Sequence, residues 1–279
     1  MPAAMDLFPR CFLLVFGQLA VGGFLALSVP PFHVIERGFF KSSAGVYLFF
    51  GLIAALGKSA LLFRNPTGAV AGDWLEATLW WIFVVAAAVY LWTLWGERMI
   101  LRARAFVATW ASGAFALIVS AQAYRLAGVA SFETVLYPLS FLASAVLLGS
   151  VLTGMLLGHW YLIDRDLPLQ PFNAMLRFFA TMLGIQVGLM LLDLALFAVA
   201  GGAATASRVS LLFSDHATLL AVRVLVGPLT SGVLAWMIWQ TLKVPQTMAA
   251  TGLFYIAILA VLVGEFMGRF ILFRTSLPL

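Results

Sequence analysis

Charge is what this chain has least of. Asp, Glu, Lys and Arg make up 10% of its 279 residues, against about a quarter in soluble domains. So little polar surface cannot cover an apolar interior in water, which excludes an ordinary soluble globule. Cysteine is nearly absent too, with Cys11 alone. One thiol closes no internal disulfide, ligates no iron–sulfur cluster and builds no cysteine-based zinc site. There is no H-E-x-x-H, no G-x-S-x-G, no phosphate-binding glycine loop and no Gly-x-Gly-Asp protease signature, so hydrolytic and nucleotide chemistry have no footing. The net charge of +5 comes without a lysine block or a basic–aromatic stripe. It does not point to nucleic acid: the basic residues fall in short loops and helix ends, where they set topology and anchor headgroups.

What the chain does have is apolar length. Hydrophobic residues reach 63% and the mean hydropathy is +1.06. Windows of about 20 residues, enough to cross ~30 Å of hydrocarbon, predict eight spans near 11–29, 44–63, 77–95, 105–124, 134–162, 174–200, 217–242 and 248–274. The expected fold is an all-α polytopic membrane bundle forming a single transmembrane domain over residues 1–279. Connections are short and carry turn chemistry at Pro30-Pro31, Asn65-Pro66-Thr67-Gly68 and Gly201-Gly202. The first run follows a lone Arg10, is too long for a signal-peptide core and lacks a small-x-small cleavage site, so it reads as a retained span.

Eight crossings put both termini on one side, here side A. Arg10, Arg64, Arg125, Arg208 and Arg274 fall on A; Arg37, Lys41, Arg98, Arg102, Arg104, Arg165 and Lys243 fall on the opposite side B. The excess on B predicts that B is cytoplasmic and that both termini lie outside. Trp92, Trp95, Trp160, Tyr161, Trp236 and Trp239 near B ends, and Trp74, Trp80 and Trp81 near an A end, read as interfacial belts. Gly154/Gly158, Gly184/Gly188 and Gly264/Gly268 have the spacing that lets helix backbones approach. No internal repeat is visible, which weakens an inverted-repeat transporter.

Polar side chains inside the spans carry most of the functional signal, because such groups face the bundle interior or a wet cavity and pair there. Counting from helix starts puts Gln18, Lys58, Asp193, Arg223, Glu265 and Arg269 in the A-side half. Glu265 and Arg269 share one helix face four residues apart. The set reads either as interhelical ion pairs with snorkelling cations or as a proton-coupled pocket near the A surface. A second, thinner cluster on side B holds His159 and Arg177, with His33 and Glu36 in a neighbouring loop. A bis-histidine haem needs two rings at helical depth, and His33 falls in a loop, so hydrogen bonding at the interface is the favoured role for His159. His216, beside Asp215, reads as a solvated loop residue, and no metal ligand set is predicted.

Two segments resemble a known family. The first span, Leu14-Val15-Phe16-Gly17-Gln18-Leu19-Ala20-Val21-Gly22-Gly23-Phe24-Leu25-Ala26-Leu27, resembles the opening helix of the membrane anchor subunit of dimethyl sulfoxide reductases. Gly264-Glu265-Phe266-Met267-Gly268-Arg269-Phe270-Ile271-Leu272-Phe273 is similar to that family's closing helix. The related polysulfide-reductase (NrfD-type) anchors share the plan. The resemblance covers about two dozen residues at the two ends and does not extend to the middle of the chain. It implies eight helices, periplasmic termini in a bacterial cytoplasmic membrane, an anchor without its own cofactor, and a quinol site near the periplasmic leaflet. It also implies partner subunits bearing iron–sulfur clusters and a catalytic domain.

The resulting expectation is a quinone-interacting anchor (menaquinone or ubiquinone) that has no complete activity alone. Glu265 and Asp193 accept or relay the proton, Lys58, Arg223 or Arg269 polarises a quinone oxygen, and Gln18 donates to the ring. The alternatives are a proton-coupled carrier of a small solute and a purely structural membrane subunit.

Overall fold

The computed structural model describes residues 4–64, 70–125, 131–164, 166–200 and 203–279. The Asn65–Gly68 and Gly201-Gly202 turns and Arg165 lie outside the described residues. The described residues are mainly helical and contain no strand: α1 (Ala4–Ala26), α2 (Arg37–Arg64), α3 (Ala71–Thr93), α4 (Met99–Gln122), α5 (Glu133–Ile163), α6 (Gln170–Val199), α7 (Ala203–Ser214), α8 (Ala217–Val224), α9 (Thr230–Lys243) and α10 (Thr247–Thr275). With α8 and α9 counted as one interrupted crossing, eight segments are long and apolar enough to span a membrane. This is the all-α polytopic bundle that the hydropathy windows predict.

The seventh crossing is broken where the sequence forces it. Pro228 has no N–H to offer the preceding turn, and Leu225–Leu229 widens into a single π-helical turn between α8 and α9. The Thr230 hydroxyl donates to the Leu225 carbonyl at 2.8 Å, satisfying a group that the break exposes.

α1, α5 and α10 form the centre, with the largest buried shares among the eight crossings. α1 and α5 touch backbone to backbone: a methyl on Gly22 would lie 1.7 Å from the Ala145 carbonyl oxygen, and one on Gly149 2.0 Å from the Gly22 carbonyl carbon. Only glycine fits such an approach. The Gly154/Gly158 pair behaves as expected, facing Phe254 and Thr251 of α10, and Gly264 faces Gly227 of the π turn. Gly184/Gly188 differs, since a methyl on either meets open space. That pair is not a packing seam but lies open on α6.

Two other expectations change. Trp80 is fully buried rather than interfacial, because it fills the space above Gly17. Trp92, Trp95, Trp236 and Trp239 do stand exposed on the outer surface, as a belt requires. The stretch between the sixth and seventh spans is not mere loop, because α7 forms there. Its Arg208 donates to the Thr275 carbonyl at 3.1 Å and to the Ser276 hydroxyl at 3.0 Å, holding the end of α10. Ser276 turns left-handed (φ 58°), and the segment after it folds back until Leu277 and Leu279 are buried.

Candidate functional site

The middle of the site is one turn and a half of α5, Ser140 to Ser144. Ser140 donates to Asp193 Oδ2 of α6 at 2.7 Å. The Phe141 carbonyl accepts from Gln18 Nε2 of α1 at 2.9 Å. Ser144 Oγ accepts from Arg269 Nη2 of α10 at 2.5 Å and from Gln186 Nε2 of α6 at 3.2 Å. Ser140 and Ser144 share a face of α5 by their i,i+4 spacing, so α1, α6 and α10 converge on the same strip.

Glu265 lies next to this strip, between two guanidinium groups. Arg223 Nη1 of α8 is 3.0 Å from Oε1, and Arg269 Nη2 is 3.5 Å from Oε2. All three side chains are at most 2% exposed. The 3.0 Å approach is an ion-pair contact off the axis of a good hydrogen bond, so Oε1 keeps an unfilled lone pair. Arg223 Nε and Nη2, Arg269 Nε and Nη1, Asp193 Oδ1, Gln18 Oε1 and Gln186 Oε1 are likewise buried without a hydrogen-bond partner. Buried polar atoms are normally satisfied, and here several without a partner lie close together. Arg269 also lies 4.6 Å from the Phe141 ring centroid, a cation–π distance.

Five of the six residues expected in the A-side half therefore gather here: Gln18, Asp193, Arg223, Glu265 and Arg269. Lys58 does not join them. It forms an ion pair with Glu76 of α3, and Glu76 also accepts from Ser120 of α4. The reason is hairpin geometry: α2 and α3 are consecutive and antiparallel, so residues equally far from the connection lie side by side. Lys58 precedes the end of α2 at Arg64 by six residues, and Glu76 follows Val70, the residue before α3, by six.

Lys58 and Glu76 line a cleft of about 270 Å³ with Arg10, Asp73 and Tyr124. Tyr124 follows the end of α4. Its ring lies 5.9 Å from that of Phe141, centroid to centroid. Phe141 thus touches both Tyr124 at the cleft and Arg269 of the buried group.

On side B the expected second cluster disperses. His159 is exposed on α5, with Nδ1 3.4 Å from the Tyr255 hydroxyl of α10, whereas Arg177 lines a cleft between α6 and α9. His33 is exposed in the loop before α2, so neither histidine has the enclosed apolar surroundings of a bis-histidine haem. His216 is the N-cap residue of α8. No three His, Cys, Asp or Glu converge as a metal site among the described residues.

Sequence reasoning missed Glu76, Ser120, Ser140, Ser144, Gln186 and Tyr124. Gln186 was within reach, since it precedes Asp193 by seven residues and shares its helix face. Comparison with family models, curated proteins and solved structures finds no match to this chain.

Proposed function

We propose that this membrane protein is the quinone-interacting subunit of a redox complex, with the quinone head received in the cleft lined by Lys58, Glu76 and Tyr124. The observation that carries the reading is the proximity of that cleft to a second, buried polar group, linked through the Tyr124 and Phe141 rings. The cleft fits the ligand class: it opens at an A-side helix hairpin, holds a cation, a carboxylate and a phenol, and is large enough for one ring.

A quinol oxidised there releases two electrons and two protons. Glu76, hydrogen-bonded by Ser120 and paired with Lys58, is placed to accept a hydroxyl proton. Lys58 and the Tyr124 phenol are placed to donate to the oxygens. The Glu265 carboxylate, clamped by Arg223 and Arg269, holds the charge of the buried group, and Asp193 offers a second proton-exchanging carboxyl through its unpartnered Oδ1. The chain has one cysteine and no cluster ligands, so the electrons need a partner subunit carrying iron–sulfur clusters.

Gentle solubilisation of native membranes tests this. The chain should co-purify with a polypeptide whose reduced clusters give a paramagnetic resonance signal, and quinol addition should generate that signal. Isolation of the chain alone, with no quinol-reducible centre in any fraction containing it, would overturn the reading.

One observation favours a second reading, a proton-coupled carrier. The π turn at Leu225–Leu229 breaks a crossing directly beside the buried triad, and broken crossings commonly line transported-substrate sites. A carrier would move its solute in liposomes as the purified chain alone.

A further inference from the structure

Between α6 and α9 the bundle leaves a second cleft, of about 610 Å³, which no part of the redox reading uses. Its floor is made of absent side chains. Gly184 of α6 and Gly232 of α9 both line it, and a methyl on either would meet nothing within 4 Å. Elsewhere in this protein the close-packed glycines Gly22, Gly149, Gly154 and Gly264 hold a neighbouring helix; these two hold an open groove.

The groove has a defined length and two unlike ends. It runs along α6 from Leu176 to Val187, about eleven residue steps or roughly 16 Å at 1.5 Å per residue. That is about half of the ~30 Å hydrocarbon core, one leaflet. Pro228 of the π turn lines its deep end. The shallow end opens on side B into an adjoining chamber of about 450 Å³, which shares Arg177 and Trp239 with the groove and adds Gln170 and Asn173.

The chamber is suited to an anion. Arg177 is exposed there, and the Lys243 ammonium lies 3.3 Å from the Trp239 ring centroid. Gln170 begins α6, whose N-cap residue Leu169 supplies no side-chain cap. The chamber thus lies at the positive end of the helix dipole, beside Gln170 and Asn173 of the first turn.

We propose that this groove is a specific site for one anionic phospholipid of the B leaflet. One acyl chain lies over Gly184 and Gly232 up to Pro228, and the phosphate sits among Arg177, Gln170 and the start of α6. A phospholipid fits better than a long polyprenyl tail, because the groove is about one leaflet long and its shallow end is cationic.

The test uses the full chain reconstituted in vesicles of equal phosphatidylglycerol and phosphatidylcholine, with retained lipid counted by native mass spectrometry after mild delipidation. The expected result is one phosphatidylglycerol held per chain, enriched at least tenfold over phosphatidylcholine. Arg177→Gln should bring the enrichment to near unity while a lipid is still retained. Gly232→Leu should remove the retained lipid altogether, and its side chain enters open space, so the fold stays intact. Equal retention by wild type and both variants would overturn the site. So would displacement of the phospholipid by an added long-chain quinone, which would assign the groove to a polyprenyl tail.

Discussion

Glu265 of α10 and Arg223 of α8 meet at 3.0 Å with side chains 0% and 2% exposed. The contact joins the last crossing to the broken one, and Arg269 closes it from the next turn of α10. Charges this deep are tolerated only when paired, because desolvation is costly in the interior of a membrane bundle.

Glu265→Gln should therefore destabilise the bundle strongly. It leaves two buried guanidinium groups without a counter-charge, a change that typically costs about 3–5 kcal/mol. Thermal unfolding in detergent checks this; a loss below about 1 kcal/mol would show that the arginines find solvent or other partners.

The glycines separate into two classes with opposite expectations. Gly264→Ala places a methyl 2.5 Å from the Gly227 Cα, a backbone atom that cannot swing away, and should cost about 1–3 kcal/mol as overpacking does. Gly188→Ala meets open space in mid-helix and should be neutral or stabilising by up to ~1 kcal/mol from helix propensity. The same unfolding assay applied to both variants decides it; equal losses would contradict the helix contacts described here.

Side B carries a pH-dependent tie. Arg37 Nη1 and Nη2 each donate to Glu97 at 2.9 Å, bridging the start of α2 to the α3–α4 connection. These hydrogen bonds, with the guanidinium charge, hold the Glu97 carboxyl below its ordinary range. A depressed carboxyl contributes stability above its unfolded pKa of about 4.3, and that contribution is lost as pH falls through the lower folded value. Amide exchange in residues 94–98 should quicken on acidification below pH 4 in the wild type, beyond its intrinsic pH dependence, and show no such extra step in Glu97→Gln. Glu97 stands exposed and Arg37 is half-buried, so the pair contributes little to global stability.

Much of this architecture is legible from hydropathy alone, because in a bilayer only helices and closed barrels satisfy every backbone group, and runs of about 20 apolar residues select the helix. The eight crossings follow, and so does the gathering of Gln18, Asp193, Arg223, Glu265 and Arg269, since polar groups at equal depth seek one another. Lys58 went astray for want of its neighbour: a span read as starting at residue 77 leaves Glu76 outside the membrane, whereas α3 begins at Ala71. The serines of α5 escaped because a hydroxyl in an apolar run usually bonds its own helix, as Ser150 does to Leu147. The Gly184/Gly188 spacing misled for a different reason. Spacing reports where a backbone is bare, not whether another helix covers it.

The central claim, a quinone head in the cleft of Lys58, Glu76 and Tyr124, is tested most directly by titrating the chain in nanodiscs with a short-tailed quinone. The account predicts saturable binding at one site per chain. Glu76→Gln should weaken it at least tenfold, Tyr124→Phe should weaken it about fivefold through the loss of one hydrogen bond, and Arg177→Gln should leave it unchanged. Non-saturable partitioning in the wild type, or equal affinity in wild type and Glu76→Gln, would contradict it.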